Sequence, residues 1–125
     1  MFNSPENAYG AATRATESNR ELEATALFKA ARLLEACREG WESAGHGGRL
    51  DHALRYNQRL WTLFQTELAR PDHEMVPALR ADLLRLSAFV DKRTFEIVAE
   101  PRPDKLQALI DINRHVALGL SARPS

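Results

Sequence analysis

The residue types that most often do chemistry are present but scattered. His46, His52, His73 and His115 fall in different segments of the chain. A metal or metalloprotease site on one helix needs two histidines a turn apart, so that both imidazoles reach one ion. No such pair occurs. Ser18, Ser43 and Ser87 lack the sequence context of an activated nucleophile. Cys37 is the single cysteine. It has no partner for a disulfide or a thiolate zinc site. Its place on an apolar helix side favours a buried, inert thiol. Asp72-His73-Glu74 has ligand-type side chains, but nothing fixes a third or fourth ligand, so it reads as a solvated loop. No glycine-rich loop joins a strand to a helix. The expectation is a protein that is not an enzyme, with no catalytic residue, cofactor or metal.

Recognition is better represented. Asn57 lies between Leu54 and Trp61 on an apolar seam, and Asn113 lies within another apolar side. A buried amide without partners costs about 1–3 kcal/mol. Each Asn must therefore bond a backbone carbonyl, a neighbouring helix or a partner. One reading is a polar pin that fixes helix register; the other is a polar anchor for a bound peptide. Trp61 and Phe64 share the seam and read as core, since burying such rings drives folding. Leu84, Ala88 and Phe95 lie nearly opposite Leu79, Leu83 and Val90 at 100° per residue. A helix apolar on two sides is either enclosed or exposes a patch that marks a partner or self-association site.

These residues need helices to position them. Ala, Leu, Glu and Arg dominate, β-branched residues are few, and no strand-length alternation occurs. The spacing predicts four helices. Ser18 and Glu21 have capping-box spacing, so the first helix is expected over 18–43, after a tail of residues 1–17. Its apolar side is Leu22, Ala26, Ala30, Leu33, Cys37 and Trp41, and Gly45, Gly47 and Gly48 end it. The second is expected over 50–69, with the seam Leu50, Leu54, Asn57, Trp61, Phe64 and Leu68. Pro77 suits the first turn of a third helix reaching Ala99, with Leu79, Leu83, Leu86, Val90 and Ile97 as its main stripe. Pro101 and Pro103 force a turn. The last helix is expected over 104–118, burying Leu106, Leu109, Ile110, Asn113, Val116, Ala117 and Leu120, with Gly119 at its end. Short connections favour antiparallel neighbours. The fold expected is an all-α antiparallel bundle of about four helices: one domain over 18–120, a loosely ordered N-terminal tail and a short tail over 121–125.

Charge and size narrow the function classes. The 125 residues suit a single domain. Seventeen Lys and Arg balance seventeen Asp and Glu. A neutral chain has no bulk attraction for nucleic acid or anionic lipid. No apolar run is long enough to span a membrane. Met1-Phe2-Asn3-Ser4-Pro5-Glu6 does not read as a signal peptide. A lone cysteine fits a reducing, cytoplasmic setting.

The stretch Tyr56-Asn57-Gln58-Arg59-Leu60-Trp61-Thr62-Leu63-Phe64 resembles the central signature of the FlaF flagellar proteins of alphaproteobacteria. Arg70-Pro71-Asp72, Pro77-Ala78-Leu79-Arg80, Phe89-Val90, Lys92-Arg93-Thr94-Phe95 and Leu109-Ile110-Asp111-Ile112-Asn113-Arg114 follow in family order, ahead of Gly119-Leu120. Asn7-Ala8-Tyr9-Gly10 and Arg20-Glu21-Leu22-Glu23-Ala24 continue the likeness at the front. Met75-Val76 and Asp111 depart from it. The resemblance implies an accessory role in flagellin synthesis or export, alongside the repressor FlbT. The segment around Tyr9 also resembles the start of the flagellin chaperone FliS. Joined to the helical reading, this gives a cytosolic chaperone holding terminal segments of flagellin by helix-in-groove recognition. Leu84, Ala88 and Phe95 would form the groove and Tyr9 its cover. The alternatives are a regulator acting on flagellin mRNA or through FlbT, and an adaptor that binds FlbT instead of flagellin.

Overall fold

The computed structural model describes the backbone of residues 5–70 and 75–121, and side-chain surroundings over 19–70 and 75–121. Its elements are α1 (Pro5–Glu39), α2 (His46–Leu68), α3 (Pro77–Ala99), a 3-10 turn (Pro103–Leu106) and α4 (Gln107–Ser121). No strand occurs among the described residues.

Helix α1 begins thirteen positions before the expected start at Ser18. The Ser18–Glu21 spacing is also that of neighbours inside a continuous helix. Ala8, Ala11, Ala12 and Ala15 are strong helix formers, and Pro5 is tolerated in a first turn. The buried face of α1 is Ala24, Leu27, Ala30, Ala31, Leu34 and Cys37. The expected side was rotated from this one: Leu22 is 65% exposed, and Ala26 and Leu33 are half-buried. The helix ends at Glu39, with the Gly40 N–H donating to the Ala36 carbonyl at 2.9 Å.

Of the three glycines expected to break the chain here, only Gly45 has the left-handed backbone, at φ 78°. Gly47 and Gly48 lie in the first turn of α2. The Arg49 guanidinium donates to the Ala44 carbonyl at 2.8 Å and braces the corner. The α2 seam is buried at Leu50, Leu54, Asn57, Trp61 and Leu68, and Phe64 is half-buried beside it.

Helix α3 opens at Pro77 and buries Ser87, Val90, Thr94 and Ile97. Leu79, expected on its main stripe, is exposed, because it lies in the first turn beyond the packed part of the helix. Thr94 is tolerated inside because its hydroxyl donates to the Val90 carbonyl at 2.7 Å. The Lys105 ammonium donates to the carbonyls of Glu100 at 2.7 Å and Glu96 at 3.3 Å. A cation there offsets the negative end of α3. Helix α4 buries Leu109, Ile110, Asn113 and Ala117. It continues through Gly119 to Ser121, so Gly119 does not end it.

Cross-helix contacts fix the directions. Glu35 pairs with Arg114 and Arg38 with Gln107, so α1 and α4 run antiparallel. Lys29 lies over the Tyr56 ring and Trp41 against His46, so α1 and α2 are antiparallel too. Helix α1 packs chiefly on α4, then on α2, while α3 packs on α2 and only touches α4 and the 3-10 turn before it. Among the described residues, no helix is long and apolar enough to cross a membrane.

Candidate functional site

Two features emerge, one inside and one outside. Inside, α2 and α4 are linked by a chain of side-chain hydrogen bonds. The Trp61 indole N–H donates to Asn113 Oδ1 at 2.8 Å. Asn113 Nδ2 donates to Asn57 Oδ1 at 2.7 Å. Asn57 and Asn113 are fully buried and Trp61 nearly so. One amide therefore accepts and donates at once, and the indole reaches its partner without breaking the core. Asn57 Nδ2 is buried with no partner among the described residues. Both Asn residues thus sit in the core, bonded to each other and to the neighbouring helix. Phe64 meets Trp61 edge to face, with ring centroids 5.5 Å apart and planes at 84°.

Beside this chain is an apolar pocket of about 50 Å³. Trp61, Phe64 and Leu68 of α2 form one wall, Leu83 of α3 another, and Val116 and Leu120 of α4 a third. Met75 completes the apolar lining, and the charged lining residues are Glu23 and Glu67. Each α2 and α4 position was legible as an apolar helix position. Their convergence was not, because it depends on how far the helices slide past one another.

On the outside, α3 presents a second apolar side. Phe95 is 74% exposed, Val98 is 66% exposed and Ala88 is exposed; Leu84 is half-buried. Val98 belongs to this face by spacing but was not among the residues expected there. Asp91, on the same face, accepts from Gln65 of α2 at 2.9 Å. The Tyr9 side chain lies outside the described residues.

The residues with reactive side chains stay apart. Cys37 is buried, and burial pushes its thiol up from the ordinary value of 9.0, with the Arg49 charge pulling the other way. A thiol held neutral in this way is a poor nucleophile. His46 packs against Trp41 with ring centroids 4.0 Å apart and the planes tilted by 53°. His52 and His115 are exposed, and His73 lies outside the described residues. Among the described residues, no three His, Cys, Asp or Glu side chains are grouped as a metal site.

No curated protein and no solved structure matches the chain. The family model described as flagellar protein FlaF matches residues 5–120, nearly the whole chain. With four packed helices and a match running from the start of α1 to the end of α4, the chain belongs to the FlaF family of flagellar proteins.

Proposed function

We propose that this flagellar protein is a non-enzymatic assembly factor, a cytosolic chaperone that binds terminal segments of flagellin and supports its synthesis and export. The observation that carries the reading is the outer side of α3, where Ala88, Phe95 and Val98 lie exposed along one line of a folded bundle. Large apolar side chains at helical spacing suit the apolar face of an amphipathic helix. Unassembled flagellin supplies such segments. Coupled folding costs the segment ordering entropy, so the docking surface must provide apolar area.

Calorimetric titration with flagellin monomer, and then with flagellin lacking its terminal segments, tests the reading. Binding at micromolar Kd or tighter, lost on truncation, is the expected result. Phe95→Asp should weaken binding at least tenfold while leaving the helical circular dichroism unchanged, because the ring is mostly outside the core. No heat with any flagellin would overturn it.

A second reading, regulation of flagellin expression through its mRNA or through FlbT, draws on a different surface. Arg55, Gln58, Arg59 and Thr62 line an open polar hollow on the outer side of α2. Arg55 lies 3.0 Å from Asp51, which offsets its charge locally, and the chain as a whole is neutral. The hollow offers little charge for a phosphate backbone, which places this reading second.

A further inference from the structure

Helix α1 has 35 residues, and the helices beside it stop early. Lys29 lies over Tyr56, and Leu68 is twelve residues further along α2, so α2 ends level with about residue 17 of α1. Glu35 pairs with Arg114 and Arg38 with Gln107, so α4 ends, at Ser121, level with about residues 24–28. Asn19, Arg20, Glu21 and Leu22 are all exposed. At the same end, α3 begins beyond its neighbour. Gln65 meets Asp91 and Leu68 shares the pocket with Leu83, so α2 and α3 are antiparallel, and α2 stops level with about residues 83–88 of α3. Helix α3 buries nothing before Ser87. Leu79 is 50% exposed and Leu83 and Leu86 are half-buried, although all three lie on the stripe that Val90 and Ile97 carry into the core. Helices α1 and α3 are not neighbours among the described residues. Between them, past the end of α4, one helix-wide lane is uncovered, and the pocket lined by Phe64, Leu68, Leu83 and Leu120 is its floor.

We propose that a second copy of this chain fills the lane. Residues 5–22 of each α1 lie antiparallel against those of the other copy and along the start of its α3. Two arms and two α3 starts then form a four-helix centre, with Leu79 and Leu83 of both copies inside. Helix α1 runs unbroken from its arm into the bundle, so an arm points away from its own lane and reaches only that of another molecule. The arm of 18 residues is about 27 Å long, and the lane has nearly the same length, because one offset between α1 and α4 sets both. A helical segment this short is marginal in water without a packing partner. Each arm covers a strip about 27 Å by 10 Å, so two arms and the two strips they cover remove about 1,100 Å² from water, enough for a stable interface. A chain with no net charge does not repel its own copy. The arrangement closes on a two-fold axis and leaves no lane for a third molecule. It does not depend on the chaperone reading.

Sedimentation velocity of the full chain should show the mass of two chains. Leu79→Asp, a change at an exposed position, should raise the dimer dissociation constant at least tenfold with unchanged helical circular dichroism. Phe95→Asp, on the other side of α3, should leave the dimer intact. Thr13 is midway along the arm, so Thr13→Cys should be cross-linked between copies by a short bis-maleimide. His52→Cys, at the far end of the bundle, should not, and Cys37 is buried away from the reagent. A monomer at hundreds of micromolar with no cross-link at residue 13 would overturn the assignment. So would a dimer broken by Phe95→Asp and untouched by Leu79→Asp, which would place the contact on the outer side of α3. A monomer whose flagellin binding is lost in Leu79→Asp would give the lane to the client instead of a second copy.

Discussion

Asn113 shows how one residue can tie two helices together inside an apolar core. Its oxygen accepts the Trp61 indole proton and its nitrogen donates to Asn57. Replacing it with Leu preserves approximate volume but strands a buried donor on Trp61 and a buried acceptor on Asn57. Stranding a buried polar group costs about 1–3 kcal/mol, so Asn113→Leu should lower the urea unfolding free energy by about 3 kcal/mol. Adding Trp61→Phe removes one stranded donor. The double variant should then cost about 1 kcal/mol less than the sum of the two single changes. Additive costs would show that the indole bond contributes nothing. Spacing alone placed both Asn residues on apolar helix sides. It gave no sign that they bond each other, because they are 56 positions apart and the meeting depends on packing. Cys37 gives a second test at this scale. Burial raises its folded pKa, so above the unfolded value the unfolded chain gives up its proton while the folded one keeps it. The Cys37 contribution to stability is therefore intact below that value and falls as pH rises through about 9.0 toward the folded value. Cys37→Ala should flatten this alkaline part of the stability curve, measured by urea denaturation across pH. An unchanged slope would assign the alkaline loss to other groups.

Among the elements, the glycines separate backbone demand from mere tolerance. Gly45 holds φ at 78° between α1 and α2, a region costly for any residue with a Cβ, and an added Cβ would lie 3.3 Å from the Arg49 guanidinium. Gly45→Ala should destabilise by about 1–2 kcal/mol. Gly119 is helical in α4, and an added Cβ there meets nothing within 4 Å. Gly119→Ala should instead stabilise by about 0.5–1 kcal/mol. Thermal melting of the two variants should move in opposite directions, and a shared direction would refute this backbone assignment. The same contrast explains what was legible. A glycine near the end of a helical pattern reads as a stop, yet Gly119 sits inside α4 because Leu120 continues to pack on the core. In α2 the 4, 3, 4, 3, 4 spacing of large residues leaves little doubt about the buried side, and Leu50, Leu54, Trp61 and Leu68 are all inside. In α1, alanines occur on more than one side, so periodicity could not choose between faces. The true face is marked by Leu27 and Leu34, which meet the other helices, while Leu22 faces out.

For the whole molecule, net charge and exposed apolar surface make opposite demands on any partner, and salt separates them. Seventeen positive and seventeen negative side chains leave no net charge to draw a partner of either sign. A complex formed through Ala88, Phe95 and Val98 gains its free energy by removing apolar surface from water, a term that moderate salt leaves nearly unchanged. Burial of that surface also gives a negative heat-capacity change, measurable as binding enthalpy that becomes more favourable on warming. Flagellin affinity should therefore change less than about threefold between 50 and 200 mM salt, with a negative heat-capacity change. An RNA complex behaves differently. Neutralising six to ten phosphates would cost about a thousandfold or more in affinity over the same range. The two arginines of the α2 hollow cannot produce that slope, so a steep loss with flagellin mRNA would require a basic surface beyond Arg55 and Arg59. Calorimetry at two salt concentrations and two temperatures decides between the classes. Flat salt dependence with negative heat capacity supports the apolar face, and a steep slope with flagellin itself would refute it.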